Sequence, residues 1–294
     1  MPYDERYTPY IESTGLLPFI QLVTRSTPNM NPAALTALID RWRPETHTFH
    51  LRTGEMTVTL QDVSMILALP IDGAPVCFST DSEGWRESML GLIGRVPPLK
   101  VDPTKERTPS GGTYVWIRQQ FSQLPADASP EVILQYARAY VWYVISRSLF
   151  ANAGIRTAPW MRLKALSGTT KLSWGSAALA YLYRQVKNVS YFLHLLQFTN
   201  YLTVSLLVQL DDTCRRIDEQ ACMGGCLILL SVWMWEHFSV GRPTILPFKP
   251  WEDHGNPLRR ATWAYMWDVV SDYSGNTKMD YVRYINEFDE LTPE

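Results

Sequence analysis

The segment formed by residues 41–73, RWRPETHTFHLRTGEMTVTLQDVSMILALPIDG, constrains the fold most because its hydrophobic period changes twice. Pro44 ends a preceding helix, since the residue before a proline disfavours helical backbone. Polar and apolar residues then alternate around a Thr-Gly turn, which predicts a small antiparallel β-ribbon of two strands near residues 47–59. Thr59 begins a second helix, with Asp62 in the capping-box position.

Helical periodicity dominates the rest of the chain. Asn31 and Pro32 provide a cap and a first-turn residue for the helix that ends at Pro44, and this helix carries Trp42 on its apolar face. Further helices are predicted over residues 59–69, 85–94, 113–123, 129–151, 159–166, 173–184, 218–238, 263–272 and 281–291. The stretch 95–112, rich in Pro, Gly and charge, is predicted to be an exposed loop. We therefore predict a mostly α-helical single domain over residues 1–294.

Composition narrows the classes of function. The chain has eleven Trp and fifteen Tyr, which favour a rigid core or a peptide-binding surface. Its formal net charge of −2 argues against a dedicated nucleic-acid-binding domain, which usually carries a basic excess. Four cysteines form no disulfide framework, and the first residues lack the apolar core of a signal peptide. These features predict a reducing intracellular compartment.

One long segment, residues 188–210, contains no Asp, Glu, Lys or Arg and is long enough to span a bilayer. However, it contains polar side chains that are costly in hydrocarbon, among them His194, Gln197 and Asn200. We therefore favour a buried helix and expect no membrane association.

Motifs that carry chemistry are weak. On a strand, the spacing of His47 and His50 places them on opposite faces, and no nearby Cys or carboxylate has ligand spacing, so we do not predict a metal site. Cys222 and Cys226 lie on a strongly apolar stretch typical of a buried packing helix. No Gly-rich phosphate loop and no nucleophile elbow is present. The sequence thus predicts no catalytic, cofactor-binding or metal-binding residues and favours a protein that is not an enzyme.

Two groups of residues remain candidates for an interaction surface or a structural signature. The first surrounds the ribbon and comprises Trp42, Arg43, Glu45, His47, His50 and Glu55. The second lies in the last third of the chain and comprises Trp233, Trp235, Glu236, Arg242, Trp251 and Asp253. A structural alternative, which we slightly favour, is that Arg43–Glu45 and Glu236–Arg242 are buried ion pairs that hold turns together.

The segment 41–73 closely resembles the signature of the plant mobile domain family, which is also called aminotransferase-like. The resemblance continues through ARAYVWY at 137–143, SWGSAALAYLYR at 173–184, GGCLILLSVWMWEHFSVGRP at 224–243, PWEDHGNPLRRATWAYMWDVV at 250–270 and NEFDELTPE at 286–294. It covers almost the whole chain. The aminotransferase-like label would require a pyridoxal-phosphate lysine, and no lysine has a recognisable setting for one, so we expect no cofactor.

The resemblance implies a nuclear protein of transposon-derived type. Members occur in plant retrotransposons and in host proteins of the MAINTENANCE OF MERISTEMS type, which act in transposon silencing, gene expression, genome stability and meristem maintenance. Such proteins act with a protein phosphatase 7-like serine/threonine phosphatase, and some relatives are fused to such a domain. The resemblance therefore implies a nuclear location and a phosphatase partner, and it carries over no catalytic residue.

The sequence departs from the family pattern at two places. Family members run from the block that ends near Gln185 almost directly into LDDTCRR, whereas residues 186–209 intervene here. We predict a 24-residue insertion, and we hypothesise that it is a retained intron, because a Val codon begins with GT and a Gln codon can end with AG. Sequencing the transcript tests this hypothesis. Family members also continue past the last residue here into a Trp-Pro-Tyr-type segment, so we expect the C-terminal end of the domain to be truncated.

Three functions remain to be distinguished. A non-enzymatic interaction module is the leading hypothesis, and an exposed aromatic groove without a basic lining would favour it. Direct nucleic-acid binding, as a retrotransposon-related domain, is the alternative. It would require a basic concave surface built from Arg41, Arg43, Arg242, Arg259 and Arg260. An enzyme would require a pocket in which His, Asp and Glu side chains converge.

Overall fold

The computed structural model describes residues 1–25, 30–77, 83–98, 110–151, 156–168, 170–197, 224–246, 262–267, 270–271 and 275–292. The helices of the N-terminal half are α1 (Thr8–Ser13), α2 (Leu17–Arg25), α3 (Pro32–Ile39), α4 (Leu60–Leu67), α5 (Trp85–Ile93), α6 (Tyr114–Phe121) and α7 (Pro130–Val144). Those that follow are α8 (Trp160–Lys164), α9 (Trp174–Gln197), α10 (Leu227–His237), α11 (Trp263–Met266) and α12 (Thr277–Asp289). The strands are β1 (Trp42–Arg43), β2 (Thr48–Leu51), β3 (Gly54–Met56), β4 (Gly111–Thr113) and β5 (Thr157–Pro159). The predicted mostly α-helical class is confirmed.

The predicted ribbon forms, and it gains a third strand. Strands β2 and β3 pair antiparallel with His50 opposite Glu55, and β1 pairs with β2 so that Trp42 lies opposite Phe49. The prediction that Trp42 lies on the face of the preceding helix is wrong, because α3 ends at Ile39 and a turn precedes β1. The backbone amide and carbonyl groups of Trp42 and Arg43 are satisfied by pairing with β2 and not by a continuation of α3.

Local capping chemistry fixes where several helices begin. The side chain of Asn31 accepts from the amide of Ala34 at the start of α3. Thr59 and Asp62 form the predicted reciprocal capping box at the start of α4. Ser129 accepts from the amide of Val132 at the start of α7. In each case a side-chain oxygen satisfies an amide that has no partner within the helix.

Several predicted boundaries need correction. The predicted helix 129–151 ends as an α-helix at Val144 and continues as a π-helix, Ile145–Leu149. Part of the loop predicted at 95–112 is strand β4, which pairs with β5. The helix predicted to end near Arg184 continues to Gln197, so α9 enters the predicted insertion without a break. The predicted helix 263–272 is only α11, and Val270 instead forms a bridge with Ile245.

The core is built around α10, in which every residue from Leu227 to Trp235 is buried. A helix that is apolar on all sides must be surrounded by other elements, and α4 and α11 pack against it here. Helix α12 packs along α3, which brings the end of the chain onto its beginning. Within the ranges given above, no helix combines the length and the apolar character that a membrane crossing requires.

Candidate functional site

The inner face of the ribbon joins the two predicted groups of residues. Trp42 is fully buried, and its ring meets the ring of Phe49 edge-on at 4.9 Å. Phe49 in turn packs on Trp233 of α10, with ring centroids 5.5 Å apart. Aromatic pairs at these separations contribute beyond their buried area. Trp42 and Trp233 are therefore core residues that fix the ribbon on the central helix.

The two ribbon histidines lie in different settings. His47 is in a turn with a left-handed backbone, φ 57°, and its ring stacks on Tyr183 of α9 at 6.0 Å. His50 points outward from β2, and its Nε2 lies 3.5 Å from Oε2 of Glu55. Thr48 donates to the same carboxylate oxygen over 2.9 Å. The described part of the chain contains no group of three His, Cys, Asp or Glu side chains that could hold a metal ion.

The contacts of the candidate charged residues differ from the predicted ion pairs. Glu236 accepts a hydrogen bond of 2.6 Å from the indole N–H of Trp267, and Arg242 donates from Nε to the carbonyl of Phe238 over 3.1 Å. Arg43 is half-buried beside the carbonyl of Trp42, whereas Glu45 is exposed. Trp251 and Asp253 lie outside the described residues.

A cleft of about 290 Å³ opens where the start of α3, the end of α10 and helix α12 meet. Two predicted residues, Trp235 and Arg242, line it. The other lining residues are Asn31, Ser239, Gly241, Pro243, Ser271, Arg283, Tyr284 and Glu287. Guanidinium, carboxylate, amide and phenol groups therefore surround an opening that has a buried indole in its wall.

Packing between the two ends of the chain positions the polar groups of the cleft. Asn31 caps α3 through its oxygen and donates from Nδ2 to the hydroxyl of Tyr284 over 2.8 Å. Arg283 donates to the same hydroxyl over 2.7 Å and lies 3.4 Å from Glu287. Gly241 has a left-handed φ of 59°, and a Cβ there would lie 2.5 Å from Ala34. This glycine lets the turn that carries Arg242 approach α3 closely.

Sequence reasoning missed six polar residues of this cleft, namely Asn31, Ser239, Ser271, Arg283, Tyr284 and Glu287. Asn31 was recognised only as a helix cap. The pair Asn31–Tyr284 joins residues 253 positions apart. No local period or motif signals such a pair, because only the packing of α12 on α3 brings the two side chains together.

The structure also bears on the features that would indicate an enzyme or a nucleic-acid surface. Among the described residues, two histidines approach carboxylates: His50 approaches Glu55, and His237 lies 3.9 Å from Asp62, whose carboxylate caps α4. Neither pair lines the cleft. Arg41, one of the residues that a basic nucleic-acid surface would require, is bound to Asp289 and to two backbone carbonyls. Arg259 and Arg260 lie outside the described residues.

Comparison with known proteins places this arrangement in a family. A family model described as "Plant mobile domain" matches residues 18–294. No solved structure matches the chain. The match therefore includes both candidate groups of residues and the three helices that meet at the cleft.

Several proteins of Arabidopsis thaliana are similar to the chain. It is 29% identical over 269 residues to "Protein MAINTENANCE OF MERISTEMS", which covers 90% of this chain and 47% of that protein. It is 31% identical over 271 residues to "Protein MAIN-LIKE 1", with 90% and 44% covered. It is 36% identical over 214 residues to "Serine/threonine-protein phosphatase 7 long form homolog", with 72% and 14% covered. The chain thus spans less than half the length of each of these relatives.

Proposed function

The chain belongs to the plant mobile domain family, and on that premise we propose that it is a non-enzymatic, nuclear interaction module of transposon-derived type. Its partner is a protein phosphatase 7-like serine/threonine phosphatase, with which it acts in transposon silencing, gene expression, genome stability and meristem maintenance. A relative named as a phosphatase 7 long form homolog carries a similar domain, which supports an association between the two kinds of domain.

The observation that carries this proposal is the cleft at the meeting point of α3, α10 and α12. Two residues of the family-like blocks, Trp235 and Arg242, line it together with Arg283 and Glu287. Arginine is among the residue types that most often dominate the energy of protein interfaces, and Trp235, which is buried, supports the wall of the cleft from inside. The cleft carries both charge signs, which suits a polypeptide better than the uniformly negative backbone of a nucleic acid. We infer that it receives an acidic side chain of the partner, with Arg242 as the main contact.

Affinity purification from plant nuclei followed by mass spectrometry tests the proposal. The parent chain is compared with Arg242→Glu, which reverses the charge at the cleft, and with Arg118→Glu, which reverses an exposed charge on α6. We expect the parent and the Arg118 variant to recover a phosphatase 7-like protein, and the Arg242 variant to lose it. Circular dichroism and thermal unfolding confirm that each variant is folded.

Two outcomes would overturn the proposal. Recovery of nucleic acid that is independent of any phosphatase-like protein would instead favour a nucleic-acid-binding domain. Equal recovery of the phosphatase by the parent and the Arg242 variant would exclude the cleft as the contact surface. A fluorescent fusion in plant cells tests the nuclear location separately, and exclusion of the fusion from nuclei would contradict it.

A further inference from the structure

Away from the cleft, Arg162 of α8 is buried, and the described part of the chain provides no carboxylate as its counter-ion. Its relative exposure is 5%. No carboxylate of the described residues lies within ion-pair distance of its guanidinium. Buried charges are normally paired, because removing a charge from water is costly. An arginine buried without a carboxylate therefore requires an explanation.

The contacts of Arg162 leave most of its hydrogen-bonding capacity unused. The guanidinium lies over the rings of Phe150 and Tyr181, at 5.6 Å from each centroid. It donates to the carbonyl of Ser146 and to the hydroxyl of Tyr181, and both bonds are 3.4 Å long. A guanidinium has five N–H donors, and bonds to it are strongest below about 3.0 Å. These two long contacts hold the group in place without neutralising it.

The π-helix that follows α7, Ile145–Leu149, provides part of the environment of Arg162. Its wider turn lets the amide of Phe150 bond to the carbonyl of Ile145 over 2.8 Å. The carbonyl of Ser146 accepts from two side chains, Arg162 and the hydroxyl of Tyr114, the latter over 3.0 Å. Short π-helical turns within α-helices are frequently found at functional sites. Here the turn directs one backbone oxygen toward the buried guanidinium.

Two further arginines extend the positive charge from Arg162 toward solvent. Arg184 is exposed on α9, and its guanidinium lies 4.8 Å from the centroid of the same Tyr181 ring that Arg162 contacts. Arg147 is half-buried on the π-helix and lies over Tyr114 at 5.7 Å. Burial raises the pKa of Tyr114 to about 12, so its hydroxyl stays neutral at physiological pH. Tyr114 therefore does not neutralise the cluster formed by Arg147, Arg162 and Arg184.

We propose that this cluster is a binding site for a phosphate monoester, with Arg162 as the innermost contact and Arg184 at the entrance. A planar guanidinium matches two phosphate oxygens at once, and a monoester carries between one and two negative charges at neutral pH. Nothing in the proposed function requires this site, since Arg162 lies on α8 and the cleft is built from α3, α10 and α12.

The depth of Arg162 distinguishes a monoester from a nucleic-acid backbone. A phosphodiester is flanked by sugars on both sides, which keeps it away from a guanidinium that is only 5% exposed. A terminal phosphate at the end of a side chain or of a small metabolite is substituted on one side only and is therefore less hindered in approaching such a group. The net charge of −2 also gives the chain no general attraction for nucleic acid.

Thermal unfolding of the whole chain in inorganic phosphate tests the site. Sodium chloride at equal ionic strength serves as the control for screening. We expect phosphate to raise the unfolding temperature of the parent by several degrees in a saturable manner, because a ligand that binds only the folded state stabilises it. Arg162→Met removes the buried charge and should abolish the response, while its unfolding temperature without phosphate stays equal to that of the parent or rises.

Two variants and three further probes sharpen the test. Arg184→Gln should weaken the apparent affinity for phosphate roughly tenfold, as expected for the loss of one charged contact. Arg242→Met, which alters the cleft, should leave it unchanged. Phosphotyrosine and phosphoserine amino acids should bind in competition with phosphate. An oligonucleotide without a terminal phosphate should not compete.

The proposal is overturned if the parent shows no phosphate response beyond that of chloride. It is also overturned if Arg162→Met responds like the parent, or if Arg242→Met removes the response, which would place the anion in the cleft. Competition by the oligonucleotide alone would replace the monoester with a diester. A destabilised Arg162→Met protein, together with a parent that does not respond, would indicate that a carboxylate of the chain itself pairs with Arg162.

Discussion

Two arginines, Arg41 and Arg162, place their guanidinium groups against aromatic rings in different parts of the molecule. Arg41 lies over Phe288 at 5.0 Å and donates to the carbonyls of Ala37 and Ile285 over 2.7 and 2.8 Å. It also forms an ion pair of 2.5 Å with Asp289. Arg162 has comparable ring contacts, but its two hydrogen bonds are 3.4 Å long and no described carboxylate pairs with it.

The difference separates a structural arginine from one that is open to a ligand. The partners of Arg41 come from both α3 and α12, so its side chain fastens the end of the chain to its beginning and supports one wall of the cleft. Arg162 has charge but no charged partner in the described structure. Methionine fills a similar volume without charge, so its substitution should destabilise the protein at Arg41 but not at Arg162.

The largest expected effect is that of Arg41→Met. We expect a loss of about 3 kcal/mol in the free energy of unfolding, because two charge-assisted bonds to carbonyls and the contact with Phe288 disappear together. Urea unfolding measures this change. The matched variant Asp289→Asn should cost much less, since that carboxylate is 66% exposed. If Arg41→Met lost no more unfolding free energy than Asp289→Asn, Arg41 would not be a structural arginine in the sense argued above.

Asn31→Ala is expected to cost about 2 kcal/mol, roughly half from the lost cap of α3 and half from the lost bond to Tyr284. The control is Tyr284→Phe, which keeps the cap and removes the hydroxyl that accepts from Asn31 and from the mostly exposed Arg283. Urea unfolding of the two variants separates these contributions. An equal loss of unfolding free energy in both variants would mean that the cap of α3 contributes no stability. Asn31 would then act only through its bond to Tyr284.

The third prediction concerns the hydrogen bond that Tyr281 of α12 donates to the carboxylate of Asp40, just after α3. Burial, and then the negative charge of Asp40, raise the pKa of Tyr281 above its ordinary value. Tyr281→Phe should therefore cost about 1 kcal/mol at neutral pH. Because the pKa is higher in the folded state, this contribution is fully present below about pH 10 and is lost as the pH rises further. The difference between parent and variant should therefore shrink in alkaline urea titrations, and a constant difference would exclude the linkage.

The features of the fold that could be predicted from sequence are those whose contacts join residues close together in the chain. The caps at Asn31 and Thr59 were predicted, because each depends on residues within one helical turn. The ribbon was predicted because alternation and a short turn are local signals. The strand at Trp42–Arg43 was not, because it exists only through pairing with β2.

The residues of the candidate sites also divide into those with a local sequence signal and those brought together only by packing. Trp235 and Arg242 were singled out by their sequence block, and both line the cleft. Arg283 and Tyr284 had no such signal, because they reach the cleft through the packing of α12 on α3. Arg162 was also missed. Its setting combines a π-helical turn with rings from α9 and from the residue after the π-helix, and no local pattern specifies that combination.

The smallest effect is expected at an ion pair that has the geometry of the Arg41 contact but none of its burial. Lys171 lies 2.6 Å from Asp72, and both side chains are mostly exposed. The hydrogen bond from Lys171 lowers the pKa of Asp72 below its ordinary value of 3.8. A lowered folded-state pKa stabilises the protein at higher pH, and this contribution is lost as the pH falls through the carboxyl range. Because water screens the pair, Lys171→Met should leave the urea midpoint at pH 7 unchanged within error.

NMR titration should show the pKa of Asp72 returning toward 3.8 in this variant. A clear fall in the midpoint would mean that a short ion-pair distance alone, without burial, is enough to make a cation structural in this fold.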